Sequence, residues 1–163
     1  MSPEYIEKLQ HYFDVIVQGV PTSLGLTAVA LFVAFFLAIA LTFLLSMENR
    51  PVKWAVNGFL TLFTGTPLLV QFFLIYAGPG QFQVIVDSPF WSLLSNAWFC
   101  AMLTLALNSA AYSTLLFHGA VKAISKGQWE SCAALGLNRL QTLKILIPYA
   151  LKRALPSYSN EII

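Results

Sequence analysis

The stretch VIVQGVPTSLGLTAVALFVAFFLAIALTFLLSM, residues 15–47, runs for 33 residues without an Asp, Glu, Lys or Arg. A helix that crosses a bilayer needs about 20 mostly apolar residues, so this run holds one crossing with chain to spare. Two similar runs follow, 33 residues between Lys53 and Asp87 and 34 between Asp87 and Lys122. Together the three make 100 of the 163 residues. One such run is compatible with a buried core helix, but three would leave a soluble protein almost nothing to show to water. Only 10% of the chain is charged and 58% is hydrophobic, against about 25% charged in a typical soluble domain. The fold class that follows is an all-α, polytopic membrane helix bundle.

The same composition excludes other classes. Two cysteines make no disulfide scaffold, and a net charge of +2 is too small to argue for nucleic acid. Within the charge-free runs the expected spans are 22–46, 56–76 and 93–117. Pro21 suits the first turn of the first helix, where its missing N–H is no loss. Residues 1–19 then form a separate interfacial segment: Val15 to Val20 lie at the interface, and Tyr5, His11, Tyr12 and Phe13 sit among headgroups. A signal peptide does not fit this acidic beginning, with Glu4, Glu7 and Asp14 against Lys8.

Basic residues orient the bundle. The loop 47–54 carries Arg50 and Lys53, the loop 77–92 carries none, and the region after the third span carries six of the nine. By the positive-inside rule the N-terminus and the second loop are outside, and the first loop and 118–153 are inside.

The inner region 118–153 has the signals of a folded element. Ser125 and Gln128 have capping-box spacing, and Gly136 supplies a C-cap able to take positive φ. Trp129, Cys132 and Ala133 make one apolar stripe between them. Asn138 and Gln141 repeat the capping spacing before a second stripe of Leu140, Leu143 and Ile147, and Pro148 marks a change of direction. Such a hairpin either lies on the lipid surface or docks a partner.

Polar residues interrupt the spans. Pro67, in Thr64-Gly65-Thr66-Pro67, cannot donate to the Phe63 carbonyl, and Gln71 lies about one turn further on. Backbone freed in this way needs a neighbouring helix, a hydroxyl or a water-filled cavity; the break is a proline kink or marks a passage. Asn108 and Ser109, in Asn108-Ser109-Ala110-Ala111-Tyr112, can hydrogen-bond across closely packed helices. Glu161 is a carboxylate in an apolar run, a functional candidate by default unless it lies near the interface. Catalytic chemistry is missing: His11 and His118 lie on opposite sides, Cys100 and Cys132 cannot meet, and no phosphate-binding GxxxxGK[ST] loop occurs. No metal or other cofactor is expected.

Three motifs in order resemble one family. Phe63-Thr64-Gly65-Thr66-Pro67-Leu68-Leu69-Val70-Gln71, followed by Phe73-Leu74-Ile75-Tyr76, resembles the second-span signature of polar amino-acid ABC importer permeases. Gly127-Gln128-Trp129-Glu130-Ser131-Cys132-Ala133-Ala134-Leu135-Gly136 is similar to that family's cytoplasmic EAA loop, and Leu155-Pro156-Ser157-Tyr158-Ser159-Asn160-Glu161 to its LPxxxNE segment. The likeness runs from about Gly19 to the last residue and, within the family, leans toward permeases for arginine. The chain departs from the pattern in reading Glu130-Ser131-Cys132 for EAA and in a loop from Gly136 to Pro148 one residue short. It also has Leu115 and His118 where many relatives carry Glu and Arg.

The resemblance implies an ABC importer type-1 transmembrane domain over 20–163, in a bacterial inner membrane. Its partners would be a second permease subunit, two ATP-binding subunits that hydrolyse the ATP, and a periplasmic amino-acid-binding protein. Residues 125–136 would be the coupling helix, with Glu130, Ser131, Cys132, Ala133 and Gly136 meeting the ATPase. Thr66, Gln71, Asn108, Ser109 and Glu161 would line the pathway, Glu161 as counter-charge to a cationic side chain. Five spans are implied, so the chain reads as truncated early in the fourth; the rival expectation is a membrane scaffold that binds partners without transporting.

Overall fold

The computed structural model describes the backbone of residues 3–162 and the side chains of residues 8 and 11–160. Every regular element among the described residues is helical. The long helix α1 (Pro3–Ser46) is followed by α2 (Arg50–Gly65) and α3 (Leu68–Ala77). A 3-10 turn at Pro79–Gln81 and two single-turn helices, α4 (Gln83–Val86) and α5 (Trp91–Leu94), lead into α6 (Ala97–Lys122). Then come the short α7 (Lys126–Ala134) and the long α8 (Arg139–Ile162). Two helical stretches are long and apolar enough to cross a membrane, His11–Ser46 and Ala97–Lys122, and the broken pair α2–α3 makes a third if taken as one span.

The first correction concerns Pro21. It lies inside α1 and not in its first turn, and Val15 to Val20 are part of the same 44-residue helix. A proline inside a helix removes one ladder bond, but in an apolar sequence every other arrangement leaves more backbone unpaired. Ser23 Oγ donates to the Gly19 carbonyl nearby at 3.1 Å. Tyr5 lies outside the described side chains.

The core is built on small residues. Ala30, Ala34, Ala38 and Thr42 recur every fourth position of α1 and are buried, as are Thr104, Ala106, Ala110, Ala111, Ser113 and Thr114 of α6. Small side chains let helix backbones approach closely, which is where packing energy comes from when lipid removes the hydrophobic drive. The Thr42, Thr104 and Thr114 hydroxyls donate to the carbonyls of Ala38, Cys100 and Ala110 at 2.7, 2.7 and 2.6 Å. These hydroxyls are therefore buried with a partner in their own helix.

Packing partners set the directions. Ala38 of α1 shares a cluster with Phe117 of α6, and Phe43 and Met47 pack on the group containing Val121 and Ile124. Both helices thus advance the same way. Between them the α2–α3 pair must return the chain to the other end, and it does: Val56 and Leu60 pack with Ala111, while the Ile75 carbonyl lies 4.0 Å from Cys100 Sγ. The loops 47–54 and 77–92 therefore lie at opposite ends of α6, the alternation that the basic residues imply.

The span 56–76 is broken where Pro67 interrupts it: Arg50–Gly65 and Leu68–Gln81 are bent by 109° about the break. The second correction concerns Pro148, which turns nothing: α8 runs through both Pro148 and Pro156. Its buried stripe, Leu143, Leu146, Ile147, Ala150, Ala154 and Tyr158, keeps helical spacing past both prolines. Continuous burial of that face outweighs two missing ladder bonds. At its far end Tyr158 joins Phe35 and Phe117, with ring centroids 5.6 and 5.1 Å away, so one aromatic cluster ties α8 to α1 and α6.

Candidate functional site

The break between α2 and α3 begins with Pro67. A proline pushes the preceding residue out of the helical region, and Thr66 is extended, at φ −116° and ψ 143°. Pro67 is extended as well, at φ −61° and ψ 137°, and caps α3. Two consecutive extended residues stop α2 and leave its last carbonyls without ladder partners.

Side chains supply those partners. Thr66 Oγ1 donates to the Leu62 carbonyl at 2.7 Å. The Phe63 carbonyl, which Pro67 would have served, accepts from Gln71 Nε2 at 2.8 Å and from Asn108 Nδ2 at 3.1 Å. The Thr64 carbonyl accepts from Tyr112 Oη at 3.3 Å. Gln71 Nε2 also donates to the Thr66 carbonyl and to Thr66 Oγ1, at 2.9 and 2.8 Å, and Gln71 Oε1 accepts from Asn108 Nδ2 at 3.1 Å. Gln71 is 5% exposed. Thr66, Gln71 and Asn108 thus form one network that anchors the broken helix to α6. Ser109 is half-buried beside Asn108 on α6, and the side chain of Glu161 lies outside the described residues.

A second group lies beyond the C-terminal end of α6. Ser125 caps α7 by position but its hydroxyl makes no capping bond, so the expected Ser125–Gln128 box does not form. Gln128 Oε1 is instead buried with no hydrogen-bond partner among the described residues. The Gln128 side chain, with Arg153, holds the exposed Tyr149 hydroxyl below the usual phenol range. The other box does form. The Asn138 N–H donates to Gln141 Oε1 at 2.9 Å and the Gln141 N–H to Asn138 Oδ1 at 3.0 Å.

Gly136 closes α7 at φ +70°. The Gly136 N–H reaches the Ala133 carbonyl at 2.9 Å and the Leu137 N–H reaches that of Cys132 at 3.1 Å. This pair of bonds is a Schellman motif. Cys132 is buried among Leu143, Leu146 and Ile147, while Glu130, Ser131 and Ala133 are exposed and Ser131 Oγ donates back to the Gly127 carbonyl at 2.7 Å. Leu135 is 76% exposed. The element therefore has one face sealed to the bundle and one open.

Two contributors had weak sequence signals. Asn96 caps α6, its Oδ1 accepting from the Trp98 and Phe99 N–H groups at 2.9 and 3.2 Å; an Asn just before an apolar run was the available sign. Arg139 had none. Its guanidinium stacks 5.0 Å from the Trp129 ring and its Nη2 donates to the Ser46 carbonyl at 3.0 Å, tying α7 and α8 to the end of α1.

The profile of the binding-protein-dependent transport system inner membrane component family matches residues 30–163. The chain belongs to that family. This permease chain is 81% identical over 154 residues to the arginine ABC transporter permease protein ArtM of Haemophilus influenzae, covering 94% of the chain and 68% of that protein. It is 54% identical over 153 residues to ArtM of Escherichia coli (strain K12), covering 93% and 69%. It is 37% identical over 159 residues to the nopaline transport system permease protein NocM of Agrobacterium fabrum, covering 96% and 66%. Among solved structures, the permease matches a crystal structure of an amino acid ABC transporter with histidines. That match has a TM-score of 0.77 at 26% identity and covers 99% of this chain and 72% of the other.

Proposed function

We propose that this permease chain serves the ATP-driven import of arginine, or of a related basic amino acid, across a bacterial inner membrane. The observation that carries the reading is the 81% identity to an arginine permease over nearly the whole chain. In this reading a second permease subunit completes the pathway, a periplasmic binding protein delivers the amino acid, and two separate ATPase subunits supply the energy. The chain itself hydrolyses nothing.

The open face of α7 is the proposed ATPase contact. Glu130, Ser131 and Ala133 present the polar and small surface, Cys132 holds the helix to the bundle, and Gly136 sets the angle at which it leaves. A push on α7 reaches α8 through the Schellman turn and reaches α1 through Arg139. Thr66, Gln71, Asn108 and Ser109 are proposed to shape the pathway. The amide hydrogens of Gln71 and Asn108 already serve protein acceptors, so their proposed part is to hold the break open and not to grip substrate. Glu161 is the proposed counter-charge for the cationic side chain.

The test is uptake of labelled arginine in cells lacking the gene and in cells with it restored, with excess histidine, lysine, ornithine or glutamine as competitors. Loss and recovery of arginine uptake, blocked best by unlabelled arginine, is the expected result. Uptake indifferent to the gene would overturn the transport reading; stronger competition by another amino acid would replace the substrate alone.

A further inference from the structure

A cavity of about 480 Å³ opens where the ends of α1 and α6 meet α2, α7 and α8. Its polar wall gathers Lys53 of α2, His118 and Lys122 of α6, and Arg139 of α8. Three formal positive charges thus face one space in a chain whose whole net charge is +2. Among the described residues no carboxylate lines it. The Glu48 carboxylate lies 4.0 Å from Arg139 Nη1, but its side chain is 81% exposed, so solvent screens most of what it offers the cavity. Like charges drawn together from three helices repel one another, and an anion seated among them reverses the sign of that interaction.

The arrangement is built as well as charged. Arg139 is held by the Ser46 carbonyl and the Trp129 ring, so its guanidinium is oriented before any ligand arrives. His118 Nδ1 is a buried polar atom with no hydrogen-bond partner among the described residues. Apolar side chains line the cavity beside the basic ones, Leu45, Leu60, Leu115 and Val121, and Leu115 is half-exposed. A free-anion site has no use for an apolar wall. A lipid has, because its phosphate and its acyl chains need the two surfaces side by side. Lys122 belongs to the last turn of the spanning helix α6, the depth at which headgroups lie.

We propose that this cavity binds a phosphate group, carried by the headgroup of an anionic phospholipid whose acyl chain lies along Leu115. Basic pockets between spanning helices hold such headgroups through their net negative charge. The proposal does not depend on which solute the permease moves.

Native mass spectrometry of the intact protein, purified with its bound subunits, tests it. Phosphatidylglycerol is compared with zwitterionic phosphatidylcholine in wild type, Lys53→Gln, Lys122→Gln, the double variant, and Lys144→Gln as an exposed control outside the cavity. Retention of one phosphatidylglycerol over phosphatidylcholine is expected, weakened about fivefold by each cavity lysine lost and unchanged by Lys144→Gln. A melting curve for each variant separates lost binding from lost folding. Displacement of the lipid by millimolar inorganic phosphate would keep the phosphate site and replace the lipid as its source. Equal retention of the two lipids, or a folded double variant that retains phosphatidylglycerol like wild type, would overturn the proposal.

Discussion

Gly136 concentrates the demands on a single residue. Its φ of +70° closes α7, and no atom lies within 4 Å of the place a Cβ would occupy. Substitution there is opposed by backbone conformation alone, not by crowding. Gly136→Ala should therefore cost about 1–2 kcal/mol at the turn, enough to shift the direction in which the chain leaves α7 without unfolding the bundle. Gly136→Asn should cost less, because Asn tolerates the left-handed region. In a transport assay normalised to the amount of protein in the membrane, we expect Ala to lower uptake and Asn to retain most of it. Normal uptake with Ala at this position would sink the idea that the turn transmits force.

At the scale of the element, the α2–α3 break is a helix end turned inward and satisfied by side chains. The Phe63 carbonyl is shared between Gln71 and Asn108, so the two donors are not independent. Asn108→Leu leaves it one partner. Gln71→Leu also strips the Thr66 carbonyl, in a buried site where an unsatisfied group costs about 1–3 kcal/mol. The two side chains also bond each other, so either single substitution leaves the other amide with a lost partner, and the cycle should show a coupling of about 0.5 kcal/mol or more. Unfolding of the four proteins in detergent measures this as a double-mutant cycle. Strict additivity would show that the two side chains do not act as one network.

The whole molecule rests on the close approach of α1 and α6. Ala38 is fully buried on the contact face while Ala40 is exposed on the same helix. Adding the same side chain at the two positions separates packing from helix propensity. Ala38→Leu should destabilise by about 1–3 kcal/mol through overpacking, and Ala40→Leu should be near neutral. Thermal unfolding of both variants reads the difference; equal melting temperatures would mean that the α1–α6 contact is loose. The same packing fixes where both functional groups sit. The parallel run of α1 and α6 puts the break at one level of α6 and the α7 turn beyond its end, joined to α1 by Arg139.

The sequence by itself determined what short-range chemistry controls. The charge-free runs locate the spans because no charge can be hidden in them. The basic loops assign the ends, and Gly136 and the Asn138–Gln141 pair mark a turn and a cap that need contacts only a few residues apart. Only the tertiary structure decided the rest. Pro21 and Pro148 look like boundaries in sequence, yet α1 and α8 run through them; in α8, the buried face is packed against other helices on both sides of Pro148. Ser125 and Gln128 have the spacing of a box, but the Ser125 hydroxyl makes no capping bond and Gln128 Oε1 is buried with no partner among the described residues. The bend of 109° and the union of Gln71 with Asn108, 37 residues apart, depend on where α6 stands. Local signals specify what each segment can become, and burial against distant partners selects among those states because its free energy exceeds that of one cap or one ladder bond.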